Sequence, residues 1–291
     1  ATLPTELQEL TLNRVVPSVP HVVARFIGLQ QFQLNCQDDV WAETEVVRQI
    51  TAVARLESLK ISNASIDVLQ AIGCKHQMIE LSLGFTDFHE CILETLKQQP
   101  QLQRLELTGV VAESRGLHSV LLAAVSRLLD LQHMELRLAG MESAAVAECV
   151  ARLPTLSSLS FLGSPQSLTA ESCARLERAV LWCCGSTIEL SDFVVNCPKL
   201  RHLTVVVADR VVDSALLLAE AISKQTSVVT IQFNALPQTS EGQQFTDQLL
   251  EFLSEKAAWK LTHNTPILVQ YDRLSRPSLD ADAECRGDDR A

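Results

Sequence analysis

Nine times along the chain an apolar residue is followed three and five positions later by two more. The copies are Leu7-Leu10-Leu12, Leu29-Phe32-Leu34, Leu56-Leu59-Ile61, Met78-Leu81-Leu83, Leu102-Leu105-Leu107, Leu131-Met134-Leu136, Leu156-Leu159-Phe161, Leu200-Leu203-Val205 and Val228-Ile231-Phe233. Successive copies start 22, 27, 22, 24, 29, 25, 44 and 28 residues apart. Self-similarity at such a period means that each copy is one supersecondary unit, whose apolar face only its neighbours can cover, so the units must stack. The 44-residue gap is too long for one unit. It holds a helix-like stripe of Cys173, Leu176, Val180 and Cys183/Cys184, followed by GSTIEL (185–190), and reads as a degenerate extra copy.

Between the copies the apolar period changes. In MESAAVAECVARLP (141–154) Val146, Cys149, Val150 and Leu153 recur at three and four, the spacing of one helical face. In LLLAEAISKQ (216–225) Leu217, Leu218, Ala221 and Ile222 do the same. Each unit is therefore a short strand, a turn and a helix. Pro100, Pro154 and Pro198 each stand two residues ahead of a strand motif. Proline lacks the N–H and clashes with the preceding helical turn, so each one stops a helix and aims the chain into the next strand.

These units resemble the leucine-rich repeats of the ribonuclease-inhibitor-like, helix-backed form. LAEAISKQTSVVTIQF (218–233) is close to the ribonuclease-inhibitor pattern, and NCPKLRHLTV (196–205) is similar to the cysteine-containing repeats of F-box substrate receptors. The resemblance covers about residues 3–258 and implies an α/β solenoid: a horseshoe with a parallel concave sheet of about nine to ten strands and convex helices. At the ninth motif position the family usually carries Asn or Cys; here it holds Val15, Gln37, Ala64, Thr86, Val110, Ala139, Ser164, Ala208 and Leu236. No asparagine ladder forms from these residues, so irregular turns are expected after the strands.

EGQQFTDQLLEFLSEKAAW (241–259) reads as an amphipathic helix through Phe245, Leu249, Phe252 and Leu253, and TPILVQY (265–271) as an edge strand closing the array. The repeat domain is thus expected over residues 1–271, with a disordered polar tail over 272–291. The chain opens directly on a repeat-like segment, which suggests part of a longer protein or complex.

Composition narrows the function. A net charge of −11 and no cluster of Lys and Arg argue against a nucleic-acid surface. No apolar run reaches the length that spans a bilayer. Nine cysteines without a C-x-x-C read as small buried hydrophobes in a reducing intracellular compartment, cytoplasm or nucleus. No phosphate-cradling glycine loop or nucleophile elbow is present, and His89-Glu90-Cys91-Ile92-Leu93 begins like a zinc-protease helix but ends on Leu, one ligand short. Neither catalysis nor a metal or cofactor is expected.

Strand side chains alternate, so the motif leucines point into the core while the intervening residues line the other face. Stacking brings equivalent residues into columns. The third-position column reads Glu9, Gln31, Ser58, Glu80, Arg104, His133, Ser158, His202, Thr230; the fifth reads Thr11, Gln33, Lys60, Ser82, Glu106, Glu135, Ser160, Thr204, Gln232. Charge concentrates in the middle. Glu80, Arg104, Glu106, His133, Glu135 and Arg137 are the expected partner-docking residues, with Trp41, from a polar segment, as an aromatic anchor. The bland reading of the same charges is a self-neutralised solvated face. Trp182 reads as core or capping.

The expected function is a non-enzymatic scaffold that binds a protein partner on the concave face. Resemblance to F-box receptors extends this to the substrate-recognition part of a ubiquitin ligase. Two rivals remain: a regulator similar to the Ran GTPase-activating protein, and a structural subunit of a large assembly.

Overall fold

The computed structural model describes residues 7–13, 15, 26, 28–37, 40–53, 55–72, 78–85, 88–110, 115–139, 141–182, 187–207, 215–224, 230–235, 248, 251 and 268–270. The strands are β1 (Glu9–Leu12), β2 (Gln31–Asn35), β3 (Ser58–Ala64), β4 (Glu80–Phe85), β5 (Arg104–Val110), β6 (His133–Ala139), β7 (Ser158–Leu162), β8 (Arg178–Trp182), β9 (His202–Val207), β10 (Thr230–Ala235) and β11 (Leu268–Gln270). They form one sheet, paired strictly in sequence order. All the pairings are parallel. Between them run α1 (Val40–Val53), α2 (Ile66–Gln70), α3 (Cys91–Lys97), α4 (Arg115–Val125), α5 (Ser143–Ala151), α6 (Ala170–Cys173), α7 (Thr187–Asn196) and α8 (Ala215–Lys224). No helix among the described residues is long and apolar enough to cross a membrane.

The turn into each strand explains the prolines. Leu102 N–H donates to Gln99 O, Leu156 N–H to Leu153 O and Leu200 N–H to Cys197 O, at 3.2, 3.4 and 3.1 Å. Pro100, Pro154 and Pro198 are the second residues of these four-residue turns, where the fixed φ of proline is already correct. The same turn forms without proline at Leu128–Leu131 and Cys173–Leu176.

A second recurring contact sets the register. The carbonyl just ahead of each strand accepts two N–H groups from the next unit: Gln103 O takes Gln132 and His133, Gln132 O takes Ser157 and Ser158, Ser157 O takes Glu177 and Arg178. With the ladder held at its entrance, the motif leucines come into line and are buried. Leu59, Leu81, Leu105, Met134, Leu159 and Leu203 are all fully enclosed, and they share one continuous core with Val46, Ile50, Ile92, Val125, Val146, Val150 and Leu218 of the helices. Leu217, expected on the buried face of α8, is instead exposed beside Leu216.

Among the described residues the sheet has eleven strands, ten from the repeats and one that closes the array. β11 is the closing strand expected over 265–271, and it pairs with β10. The extra unit in the long gap exists, but its parts are placed differently: the strand is β8, with Leu176, Ala179 and Leu181 buried as its hexad, while residues 187–196 form a helix. Ala179 at the central apolar position is what hides this copy. A small residue fits because it faces the same seam, but it removes the large apolar side chain that marks the other strands. With Leu176 included, the intervals of 20 and 24 residues match the rest.

Irregularity is found within β3, whereas β5 and β6 keep a regular register through their ninth motif positions, Val110 and Ala139, where irregular turns were expected. The β3–β4 register shifts between Ile61 and Ala64, and Asn63 takes a φ of 56°. Gly109, opposite Phe85 in the β4–β5 ladder, has no room for a side chain: a Cβ would stand 2.4 Å from the Phe85 carbonyl oxygen and 2.6 Å from its ring. The amphipathic segment 241–259, Cys183, Cys184 and the tail 272–291 fall outside the described residues, apart from Gln248 and Glu251.

The five described cysteines are free thiols, four of them buried. Burial pushes the Cys36 and Cys149 thiols up to about 12. They behave as packing groups. His89 does not begin a metal helix; its Nδ1 accepts the Cys91 N–H at 3.2 Å, at the start of α3.

Candidate functional site on the open sheet face

Among the described residues most side chains between the motif leucines are half-exposed or exposed, Ser58 and Ser160 being buried exceptions, so this face lies open while the opposite one is covered by helices. The register aligns the third-position column as read from sequence, with Arg178 inserted between Ser158 and His202. The fifth-position column aligns likewise, with Val180 inserted between Ser160 and Thr204.

In the middle strands the charges form one network. Lys60 Nζ on β3 lies 3.0 Å from Glu80 Oε1 on β4, and Ser58 Oγ donates to Glu80 Oε2 at 2.7 Å. Arg104 Nε on β5 sits 3.0 Å from the same Glu80 oxygen and donates to Glu106 Oε1 at 2.8 Å, with Nη2 forming a second bond to Glu106. On β6, Arg137 pairs with Glu135 two residues away. Glu106 and Glu135 are register partners, as the columns require. Two carboxylates on adjacent strands repel by roughly 0.2–1 kcal/mol, and the guanidinium on each side offsets this.

Burial alone pushes the Glu106 carboxyl up, but hydrogen bonds from Arg104 and Ser82 and the charges of Arg104 and His133 outweigh it, and the group sits below the ordinary carboxylate range. His133 moves down, first through burial and then through the Arg104 charge, against a smaller opposing pull from Glu106. Its Nδ1 is 2.7 Å from Ser158 Oγ, and Nε2 faces Glu106 Oε1 at 3.8 Å without a hydrogen bond among the described residues. Glu106, His133 and Glu135 bring three ligand-type atoms within 4.8 Å of one another, a set that can approach a metal ion. Arg104 and Arg137 already hold both carboxylates and supply the positive charge that an ion would bring.

Of the expected docking residues, Glu80, Arg104, Glu106, His133, Glu135 and Arg137 come together as one cluster. Trp41 does not. It lies on α1, 62% exposed, in the helical layer, because Ala42, Val46, Val47 and Ile50 of that helix take the core positions. The aromatic side chain of the open face is Trp182, which the sequence reading assigned to core or capping. It ends a strand rather than a helix, and its parity matches Arg178 and Val180. The Arg137 guanidinium carbon stands 4.9 Å from the centroid of its ring, and its Nε1 donates to the buried Ser160 Oγ at 3.1 Å. Finding Ala179 as an apolar motif position would have placed both Arg178 and Trp182 on this face.

No protein-family model matches this chain, and no curated protein matches it.

Proposed function

We propose that the chain is a leucine-rich repeat solenoid of the helix-backed form, curved so that its open sheet face is concave, and that it is a non-enzymatic scaffold docking a protein partner on that face. The observation that carries the reading is the register: strands paired in sequence order display successive polar side chains in straight columns on a face without a helical cover. A rigid surface of this kind binds without the ordering cost of flexible loops. Repeat intervals of 20–29 residues from β1 to β10, each unit after β1 adding a strand and most a helix, support the family assignment. The central network favours a docking role over a catalytic one, since its carboxylates and guanidinium groups are committed to one another. Within this class, a substrate receptor of a ubiquitin ligase is the finer reading, supported by the NCPKLRHLTV repeat with Cys197 buried at its turn.

The test is affinity capture from native lysate with the wild-type chain and a Glu106→Lys/Glu135→Lys variant. Loss of a defined set of proteins from the variant, with thermal unfolding still cooperative, is the expected result. Recovery of the same proteins by both chains refutes docking on the central face.

A further inference from the structure

Resting on the docking reading above, we propose that the partner contributes an acidic, extended segment, and that Arg178 receives its carboxylate with Val180 and Trp182 as the apolar floor beside it.

Three cations of the open face are already matched. Lys60, Arg104 and Arg137 each hold a carboxylate. Arg178 is exposed and has no ion pair among the described residues; Glu177, the residue before it, forms none with it. From β5 to β9 the third-position column reads Arg104, His133, Ser158, Arg178, His202. Adjacent strands lie about 4.8 Å apart, so His202 stands one strand from Arg178 and His133 two. Arg201 and Lys199 are exposed on the approach to β9. The carboxylate that the open-face positions of β6–β9 do contain, Glu135, is taken by Arg137. A chain of net charge −11 thus keeps one guanidinium, Arg178, without an ion pair among the described residues of its display face, with Arg201 and Lys199 exposed nearby, and its fork can grip a partner carboxylate.

The floor comes from the same strand. Most strands place polar side chains at the fifth position, but β8 places Val180 there and Trp182 two residues on, both half-buried. The indole is held by Arg137 and Ser160, so it meets a ligand already ordered. An extended segment rises about 3.3 Å per residue, so one with a glutamate or aspartate followed two residues later by an apolar side chain spans Arg178 and this floor.

Two histidines report occupancy. His202, whose register partner on β10 is Thr230, is lowered by burial and then by Arg178 and Arg201; His133 is lowered by burial and Arg104, with Arg178 adding to this and Glu106 and Glu80 opposing it. A bound carboxylate cancels the Arg178 charge, so both rings take up protons more readily, and binding tightens as pH falls from 8 to 6.

The experiment uses the full chain and three fluorescein-labelled nine-residue peptides: one with glutamates alternating with serine ahead of a phenylalanine, one with lysine for each glutamate, and one with serine for each. Fluorescence polarisation at low and physiological salt is expected to show the acidic peptide binding at least tenfold tighter than the others. Arg178→Gln is expected to weaken it about tenfold, Arg178→Glu to abolish it, and Arg127→Glu, an exposed charge reversal after α4, to leave it within twofold. Equal binding of the three peptides, no binding of any, or equal effects of Arg178→Glu and Arg127→Glu overturns the proposal. If lysate partners are lost from the Glu106→Lys/Glu135→Lys variant but retained by Arg178→Glu, the docking function stands and the acidic-segment proposal falls.

Discussion

Replacing Arg104 with alanine isolates what the central network contributes. The guanidinium touches Glu80 at 3.0 Å and Glu106 at 2.8 Å, and it is the nearest cation to both half-buried carboxylates apart from Lys60. The Arg104 side chain is 46% exposed, so solvent screens it. That places it on the scale of exposed pairs, about 0.2–1 kcal/mol each, rather than the larger cost of breaking a buried pair. Two pairs plus the unrelieved repulsion between Glu106 and Glu135 give a loss of about 0.6–3 kcal/mol at pH 7. The sign with pH follows from Glu106. In the wild type its folded pKa lies below the unfolded value, so its stabilisation is present above about pH 4.3 and is lost as pH falls through the folded pKa. In Arg104→Ala the hydrogen bonds and charge of Arg104 are gone, Ser82 and His133 are left to oppose burial, and the carboxyl moves up. The deficit is therefore full at pH 7 and shrinks as acid protonates the carboxylates. Urea unfolding at pH 7 and pH 3.5, with carbon-detected NMR titration of the Glu106 carboxyl, measures both parts. A deficit under about 0.3 kcal/mol at pH 7, or one equally large at pH 3.5, refutes the reasoning.

Three further outcomes are expected. Gly109→Ala drives a methyl into the Phe85 carbonyl and ring and destabilises by about 1–3 kcal/mol, whereas Gly116→Ala, in α4 with nothing within 4 Å of its Cβ, stabilises by up to about 1 kcal/mol; paired thermal melts check the contrast. Gln99 is fully buried and its Oε1 accepts the Met78 N–H at 2.7 Å, so Gln99→Ala strands that donor and costs about 1–3 kcal/mol in urea unfolding. A double-mutant cycle over Arg137→Gln and Trp182→Leu is expected to give a coupling of about 0.5–1 kcal/mol, and a coupling near zero removes the stacked pair from the face.

Much of the site was legible before the fold was known, because two periodicities multiply. Period two within a strand settles which side chains share a face, and the repeat settles which ones align across strands. Together they place Glu106 opposite Glu135 and Arg104 beside His133 without any coordinates. Where one periodicity was masked, the reading failed. At β8 the small Ala179 broke the hexad, a helical stripe was read across a strand, and the face of Trp182 was assigned from the wrong period. Trp41 is exposed as its polar neighbours imply, but neighbours of mixed polarity do not say in which layer a residue lies, and it stands among the helices.

What the sequence determined by itself is the stack: hexads at near-constant intervals bury their leucines only against one another, and that requirement leaves little choice of register. What only the tertiary structure decided is the pairing of long side chains. Arg104 reaches Glu80 and Glu106 together, Arg137 divides itself between Glu135 and the indole of Trp182, and Arg178 has no ion pair among the described residues. Backbone hydrogen bonds hold columns to a fixed spacing, whereas a guanidinium on a flexible stem selects among several carboxylates of similar reach, and that choice depends on the neighbours that three-dimensional packing places around it.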